Sequence, residues 1–482
     1  MFIFNQIVNR ALANQEKGVF KSTAKLLIQS KWADDWSKET SGMDRMTDYP
    51  LVSFAASAHN QFPYQTYDPL GNPSELERGS FNAAPQHPIV KVSTSQEILW
   101  AIENAKPGQI ITISPGAYDM KAHAIYTKSA GLSNAPIYLR AAIFGTVILY
   151  MDTHEGFHVS NPFWVFENLI IHGDCAQDSY CEHAFHVVGN GHSFTLRNSE
   201  LVNFNAPVKV NLHPAHGKNY FPDYGLLEYN SFYNQTRRTT SNPVTLLNIN
   251  SADDWVVRGN FIADFSKNGG DGVSYGAFMK GNSRNGLFER NLIVCEHRIP
   301  ADRGIRIGIS FGGGGTAKKY CKEKNCAVEH HNGTMRNNII MNCSRDVGIY
   351  LNRANNTQIY HNLLYNNLGI DVRFETSSAQ IIQNIISGRI KNRESGRHVS
   401  SKNLVARDCI GTTLSTCDLS KLYLAPQKTD FRLTKTKHTL AKTLENSEAL
   451  KKDFCGQPIA GKVNLGPLQY ANDLKCLSNV AH

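Results

Sequence analysis

One short pattern, an apolar run broken by an Asn and then resumed, recurs along most of the chain. It reads VFENLII around Asn168, TLRNSEL around Asn198, LLEYNSF around Asn230 and VVRGNFI around Asn260. It continues as LFERNLI around Asn291, TMRNNII around Asn338, QIYHNLL around Asn362 and IIQNII around Asn384. With these Asn in register, the position three before holds Val165, Thr195, Leu227, Val257, Phe288, Met335, Ile359 and Ile381. Only Thr195 is polar, so the column predicts an inward-facing stack. Successive units lie about 20 to 30 residues apart, except across the insertion between Gly312 and Asn332, and such a period belongs to solenoids.

Each unit offers two or three short alternating strands and no helical period, which excludes leucine-rich and α-helical solenoids. A propeller blade needs about 40 residues, longer than most of these spacings. The sequence therefore predicts an all-β fold, a right-handed parallel β-helix. Its coils stack at the strand spacing, and the recurrent Asn can form a ladder of side-chain amides along the axis.

Around this body the text changes. Residues 1–87 read as an N-terminal extension, helical at first and then irregular and rich in Pro, Ser, Asn and Tyr. Residues 88–407 form the expected β-helix. Near its start Thr94-Ser-Gln-Glu97 matches a capping box that opens the amphipathic helix EILWAIENA, a shape suited to covering the open end of a strand stack. Residues 408–482 are polar and helix-prone and read as a C-terminal cap or tail.

The net charge of +9 and pI near 8.9 favour encounter with polyanions. No run of Lys and Arg resembles a nucleic-acid arm, so an acidic polysaccharide is the expected partner, with no nucleic acid. No apolar run is long enough to span a bilayer, and a monomer is expected. Several of the ten cysteines are close in sequence: Cys175 with Cys181, Cys321 with Cys326, and Cys409 with Cys417. None makes the CxxC pairs of a zinc site. The spacing predicts at least two disulfides, Cys175–Cys181 and Cys321–Cys326, and so a secreted or periplasmic protein. The opening MFIFNQIVNRALANQ shows no signal-peptide core that would carry it there.

The most concentrated basic positions in Gly-rich surroundings are Lys280, Arg284, Arg303 and Arg306. The segment VVRGNFIADF…GVSYGAFMKGNSRNGLFERNLIVCE…RGIRIG resembles the β-helical polysaccharide lyases of the alginate lyase and chondroitinase B family. In that family a coil with an N-K-S-like turn supplies a Lys base, and an L-R-H-G-like strand one coil later supplies an Arg acid. The resemblance implies Lys280, in FMKGNS, as base and Arg306, in GIRIG, as acid, with Ile307 replacing the His. It covers roughly residues 88–405, and most of it is general to β-helix proteins. The family's two calcium-holding carboxylates fall at Val273 and Tyr275. Asp271 is the nearby acid, and one carboxylate seldom builds a calcium site alone. No cofactor follows from the residues themselves; calcium follows from the resemblance, with Asp271 as its ligand.

β-Elimination from a uronic-acid polymer requires removal of the C5 proton, neutralisation of the adjacent carboxylate and stabilisation of the leaving oxygen. A Lys serves as base only if its pKa falls from about 10.4 toward the working pH. Arg284 and Arg303 are the candidate carboxylate forks. Tyr275 is a second candidate proton donor. The segment NLHPAHGKNYFPDYG adds His213, His216 and Lys218 as substrate contacts. Phe311 to Gly315, FGGGG, lacks the setting of a phosphate loop and reads as a lip of the cleft. Glu329, His330 and His331 have metal-ligand composition but alternate in direction along a strand. Three other functions fit the same scaffold: a uronate C5-epimerase, a glycoside hydrolase using acids such as Asp271, Asp302 and Asp346, and a non-enzymatic adhesive or carbohydrate-binding fibre.

Overall fold

The computed structural model describes residues 88–406 apart from 216 and 301–302, together with 419–426, 430–433, 450–456, 458–459 and 463–468. The expected extension over 1–87 lies outside the described residues.

Each coil contributes one short strand to each of three parallel sheets. Among the described residues sheet 1 has 12 strands, from Ile89–Val92 to Arg397–Ser401; sheet 2 has 11, from Gly116–Lys121 to Leu404–Val405; sheet 3 has 10, from Ile125–Tyr126 to Arg389–Arg393. The chain runs sheet 1, sheet 2, sheet 3 and back, so the fold is the expected parallel β-helix. The predicted helix forms over Ser95–Glu103, with both hydrogen bonds of the Thr94–Glu97 capping box made.

The inward column lies on sheet 1. In strand register it runs Phe166, Leu196, Leu227, Val257, Phe288, Met335, Ile359 and Ile381, each 0% exposed. Two of these correct the sequence alignment, which placed Val165 and Thr195 there. The reason lies in the turn from sheet 1 to sheet 2. Each turn has a left-handed residue followed by the ladder position, as in Tyr229–Asn230, Arg290–Asn291 and His361–Asn362, with φ of 58°, 54° and 54° at the first of each pair. In the first two coils Asn168 and Asn198 take the left-handed place instead, at φ 62° and 47°. Asn tolerates that conformation better than most residues. Ser199 then stands at the ladder position, and its N–H donates to the Oδ1 of Asn230 at 3.0 Å.

From Asn230 onward the ladder is continuous. The Nδ2 groups of Asn230, Asn260, Asn291, Asn338, Asn362 and Asn384 each donate to the Oδ1 one coil on, ending at Asn403, at 2.9–3.1 Å. Each amide oxygen from Asn260 on also accepts the backbone N–H of the Asn before it, as Asn260 does from Asn230 at 3.0 Å. A buried amide with its partners satisfied offsets its desolvation, which is what keeps a polar column tolerable inside the coil.

Both expected disulfides are present, Cys175–Cys181 and Cys321–Cys326, each with Cα atoms 5.7 Å apart. A third, Cys295–Cys343, joins successive coils across 48 residues. Cys409 and Cys417 lie outside the described residues.

The described parts of the C-terminal segment lie lengthwise along the outside of the turns and of sheet 2. Leu419, Leu422, Tyr423, Phe431 and Phe454 pack on the outward residues Phe261, Leu292, Ile339, Leu363 and Ile385. Polar bonds fix the same strap to the turns: Asn337 Nδ2 donates to the Lys452 carbonyl at 2.7 Å, and the His361 ring meets the Gly466 carbonyl at 3.3 Å.

Candidate active site

Sheet 1 has its turns and sheet 2 has the strap; the outer face of sheet 3 is lined by polar side chains. Its strands alternate strictly where they pass the middle coils: Phe157-His158-Val159, Phe185-His186-Val187 and Val208-Lys209-Val210. The apolar members are buried in the core and the polar members point out. Register places Tyr126, His158, His186, Lys209, Asn248 and Phe278 side by side in one outward row. Two residues further along each strand, a second row holds Val188 beside Asn211 and Asn250 beside Lys280. The hairpin of His213–Ala215 and Lys218–Tyr220 rises beside the rows. Beneath it lies a pocket of about 370 Å³ whose lining includes Tyr126, His158, Val188, His213 and Tyr220.

Lys209 is the central cation. Its Nζ donates to Asn248 Oδ1 at 2.9 Å, and Asn250 Nδ2 donates to the same oxygen at 2.7 Å. Burial on the sheet floor, aided by the positive charge of Lys280 and opposed by Glu182, pushes its ammonium down to about 7. Lys280 sits two strands and two residues away, about 12 Å between Cα atoms by strand geometry. Its Nζ donates to the Gly314 carbonyl at 2.9 Å and lies 4.6 Å from the centre of the Phe278 ring. Burial lowers its pKa too, but the nearby Glu329 carboxylate acts the other way. Burial thus lowers both lysines of this face, Lys280 against the opposing charge of Glu329. The Gly run that reads as a lip does border this cation, through Gly313 and Gly314.

The upstream end of the row carries a second polar cluster. Glu155 Oε2 stands 2.8 Å from His158 Nδ1 and 3.3 Å from His186 Nδ1. His186 Nε2 meets Asn211 Oδ1 at 3.0 Å, and Asn211 Nδ2 donates to the Leu212 carbonyl at 3.1 Å. His183, buried against the Ala206 carbonyl, is held neutral by burial, which takes its pKa down to about 3.

The structure does not bring Arg306 to Lys280. Arg306 pairs in register with Ser274, six residues back along the strand from Lys280. Its side chain is 2% exposed, and its guanidinium bonds Glu296 at 3.1 Å and the Arg303 carbonyl at 2.6 Å. An arginine so enclosed has no route to a leaving oxygen, so the expectation of an acid here is corrected. The cause is a shift of side-chain direction within both strands: Tyr275 and Ile307 belong to a small outer cluster, whereas Ala277 and Ile309 belong to the core. Gly276 and Gly308 stand side by side at that shift, where a Cβ would lie 2.6 Å and 2.4 Å from the carbonyl one coil on.

The other expected contacts scatter. Arg284 lies past the turn, in a small sheet with His330–His331, and pairs with Glu323. Arg303 is exposed in the loop before the Arg306 strand, at the end away from Lys280. Tyr275 packs with Ile307, Val347 and Tyr350, and burial raises its phenol far above the usual range. Its proton is therefore held more tightly than that of a free phenol. His213 lines the hairpin pocket, Lys218 is exposed on the far hairpin strand, and His216 lies outside the described residues. Glu329 faces Gly281 while His330 stacks on Phe311 in the core, with ring centres 4.0 Å apart.

Calcium does not fit where the resemblance puts it. Asp271 is committed to Lys267 at 2.8 Å and to the Val273 N–H at 3.0 Å, and Val273 and Tyr275 belong to an apolar cluster. Hydroxyl, ammonium and apolar neighbours do not make six to eight oxygen ligands.

Sequence reasoning missed Lys209, His158, His186, Asn211 and Asn248. A signal was present in FHV, FHVV and VKVN, each a polar residue flanked by buried ones one coil apart, but those strands lie outside the Asn-centred repeat.

No protein-family model matches the sequence, and no curated protein matches it. Solved structures do resemble it. The pectate lyase Pel9A matches with a TM-score of 0.50 at 15% identity, over 77% of this chain and 90% of that one. A rhamnogalacturonan lyase matches with a TM-score of 0.45 at 12% identity, over 78% and 91%. An alginate lyase from Paenibacillus sp. str. FPU-7 matches with a TM-score of 0.37 at 12% identity, over 66% and 95%. The first of these supports the β-helix assignment, which the strand register already establishes.

Proposed function

We propose that this chain is a polysaccharide lyase that cleaves an acidic, uronic-acid-containing polysaccharide by β-elimination on the outer face of sheet 3. The observation that carries the reading is the placement of Lys209 on that face, held among Asn248, Asn250 and Lys280. A base must be unprotonated where it works, and a lysine pushed down to about 7 is half neutral at neutral pH. Lys209 takes the C5 proton at the lone pair of its neutral Nζ, which keeps its bond to Asn248. Lys280, which has the Glu329 carboxylate nearby, is the partner that meets the sugar carboxylate. The side-chain amides of Asn250 and Asn211 supply donors that need no proton transfer, suited to charge that builds on oxygen. Tyr126 and Tyr220, at the pocket under the hairpin, give faces on which a sugar ring can stack.

The fold likeness to a protein described as a pectate lyase adds support at the level of scaffold. The three disulfides among the described residues suit an oxidising compartment, so the site of action is extracellular or periplasmic. The test is to incubate the protein with pectate, alginate and chondroitin and follow the ultraviolet absorbance of an unsaturated uronate. Product that absorbs supports the reading. Epimerised polymer without absorbance, seen by proton NMR, identifies the C5-epimerase, and inertness toward all acidic polymers rejects both.

A further inference from the structure

Glu155, His158 and His186 are the one group of three or more ligand-type side chains among the described residues whose donor atoms all lie within 4.8 Å of one another. They are brought together by coil stacking: His158 and His186 are register partners on sheet 3, and Glu155 precedes the same strand by two residues. Two features of the hydrogen bonding suit a cation held between these three side chains.

The first is the state of His186. Asn211 donates its Nδ2 hydrogen to the Leu212 carbonyl, so its Oδ1 faces His186 Nε2 at 3.0 Å and can only accept. Nε2 therefore carries the ring hydrogen, and Nδ1 of the neutral ring presents a lone pair. The second is what that lone pair faces. Nδ1 is buried, makes no hydrogen bond, and stands 3.3 Å from Glu155 Oε2. Two lone pairs opposed at that distance repel unless a positive centre, a proton or a metal ion, lies between them. A ring whose far nitrogen is tied to an amide oxygen is the usual support of a metal-ligating histidine.

We propose that Glu155, His158 and His186 form a binding site for a first-row divalent metal ion of the zinc class. Imidazole and carboxylate together suit such ions, whereas calcium asks for more oxygen ligands than the site holds. Bonds of about 2.0–2.1 Å in a tetrahedral arrangement put ligand atoms roughly 3.4 Å apart, close to the 3.3 Å between Glu155 Oε2 and His186 Nδ1, whereas the hydrogen-bonded Glu155–His158 pair at 2.8 Å must open on binding. On binding, the metal replaces the proton that His158 Nδ1 shares with Glu155, and the imidazole proton resides on Nε2. Three protein ligands leave a fourth position for water or an anionic group. His158 also lines the pocket beneath the hairpin, so a carboxylate of a molecule held there is the class of ligand that can complete the shell.

This site is tested without any substrate and independently of the lyase reading. Full-length protein, dialysed against a chelator, is titrated with Zn²⁺ by calorimetry and with Co²⁺ by visible absorption. One equivalent of each should bind, and Co²⁺ should give the intense d–d bands of a four-coordinate site. His186→Ala and Glu155→Gln should abolish the Co²⁺ spectrum. Asn211→Leu, which removes the hydrogen-bond support of His186 without removing a ligand, should weaken binding by about 10–100-fold. Circular dichroism confirms that each variant is folded; should one not fold, the Asn211 and His158→Ala variants carry the test. Absence of stoichiometric binding, or equal affinity in wild type and His186→Ala, overturns the proposal and leaves the cluster as a protonated His–Glu pair.

Discussion

Replacing Lys209 by Met tests the proposed base, because activity and stability should move in opposite directions. A free lysine near 10.4 is neutral in only about 1 molecule in 2,500 at pH 7. At about 7 the Lys209 amine is half neutral, so the site enriches the reactive form by roughly three orders of magnitude. Loss of a general base costs about 10²–10⁴ in rate, or about 3–5 kcal/mol of barrier. In the wild type kcat/KM should rise with pH through about 7, as the ammonium loses its proton. The folded pKa lies below the unfolded value, so the fold disfavours the charged lysine. That penalty is absent above about pH 10.4 and complete below about pH 7. Met keeps the length of the stem and cannot be charged. Lys209→Met should therefore be more stable than wild type at pH 6, by about 1–4 kcal/mol after solvent screening and the lost bond to Asn248. The advantage should fade as pH rises from 7 toward 10. Urea unfolding at pH 6 and pH 9, with initial rates on the cleaved polymer, measures both quantities. Undiminished turnover in Lys209→Met, or a stability difference that ignores pH, refutes the reasoning.

Arg306→Met should lower stability by about 3–5 kcal/mol, because it strands Glu296 beside a buried apolar group, and any residual folded enzyme should keep its kcat. Urea denaturation followed by tryptophan fluorescence reads the first, and rates normalised to folded fraction read the second. Asn291→Leu removes the amide that joins Asn260 to Asn338 and leaves buried partners unpaired on both sides, at a cost of about 2–5 kcal/mol by the same assay. Opening the Cys295–Cys343 bridge with a paired Ser substitution should cost about 4 kcal/mol from the entropy of a loop closed over 48 residues. A change below about 1 kcal/mol would show that stacking alone holds the two coils together.

The solenoid was legible because its information is local and repeated. Each Asn and each apolar position has a counterpart one coil away, and errors average out over eight copies. The two misaligned coils show the limit: Asn serves both the left-handed turn and the amide ladder, so at Asn168 and Asn198 the residue type alone does not tell which place it fills. Disulfides closing short loops were readable from spacing; Cys295–Cys343 was not, since only the length of the intervening coil makes those residues neighbours. The site was the least legible part. Lys280 was picked out by its turn and does stand on the outer face, but which face Arg306 takes depends on the shift of direction at Gly276 and Gly308. Lys209 gave no motif, because its pKa follows from burial and from Lys280, 71 residues away in sequence and two strands away in space.

The strap along sheet 2 changes how the molecule comes apart. A stack of coils in which each touches only the next behaves like a row of magnets, and heat or force peels it from its weaker end. Here one segment reaches the turns at Asn337, His361 and Gln383 and the aromatic face at Tyr365, tying the Asn337 rung to the second rung beyond it. Peeling from the late coils must first lift that tie, so their loss is deferred until several rungs fail together. The tie holds the end of the rod remote from the capping helix, and each end is thereby guarded by a different device.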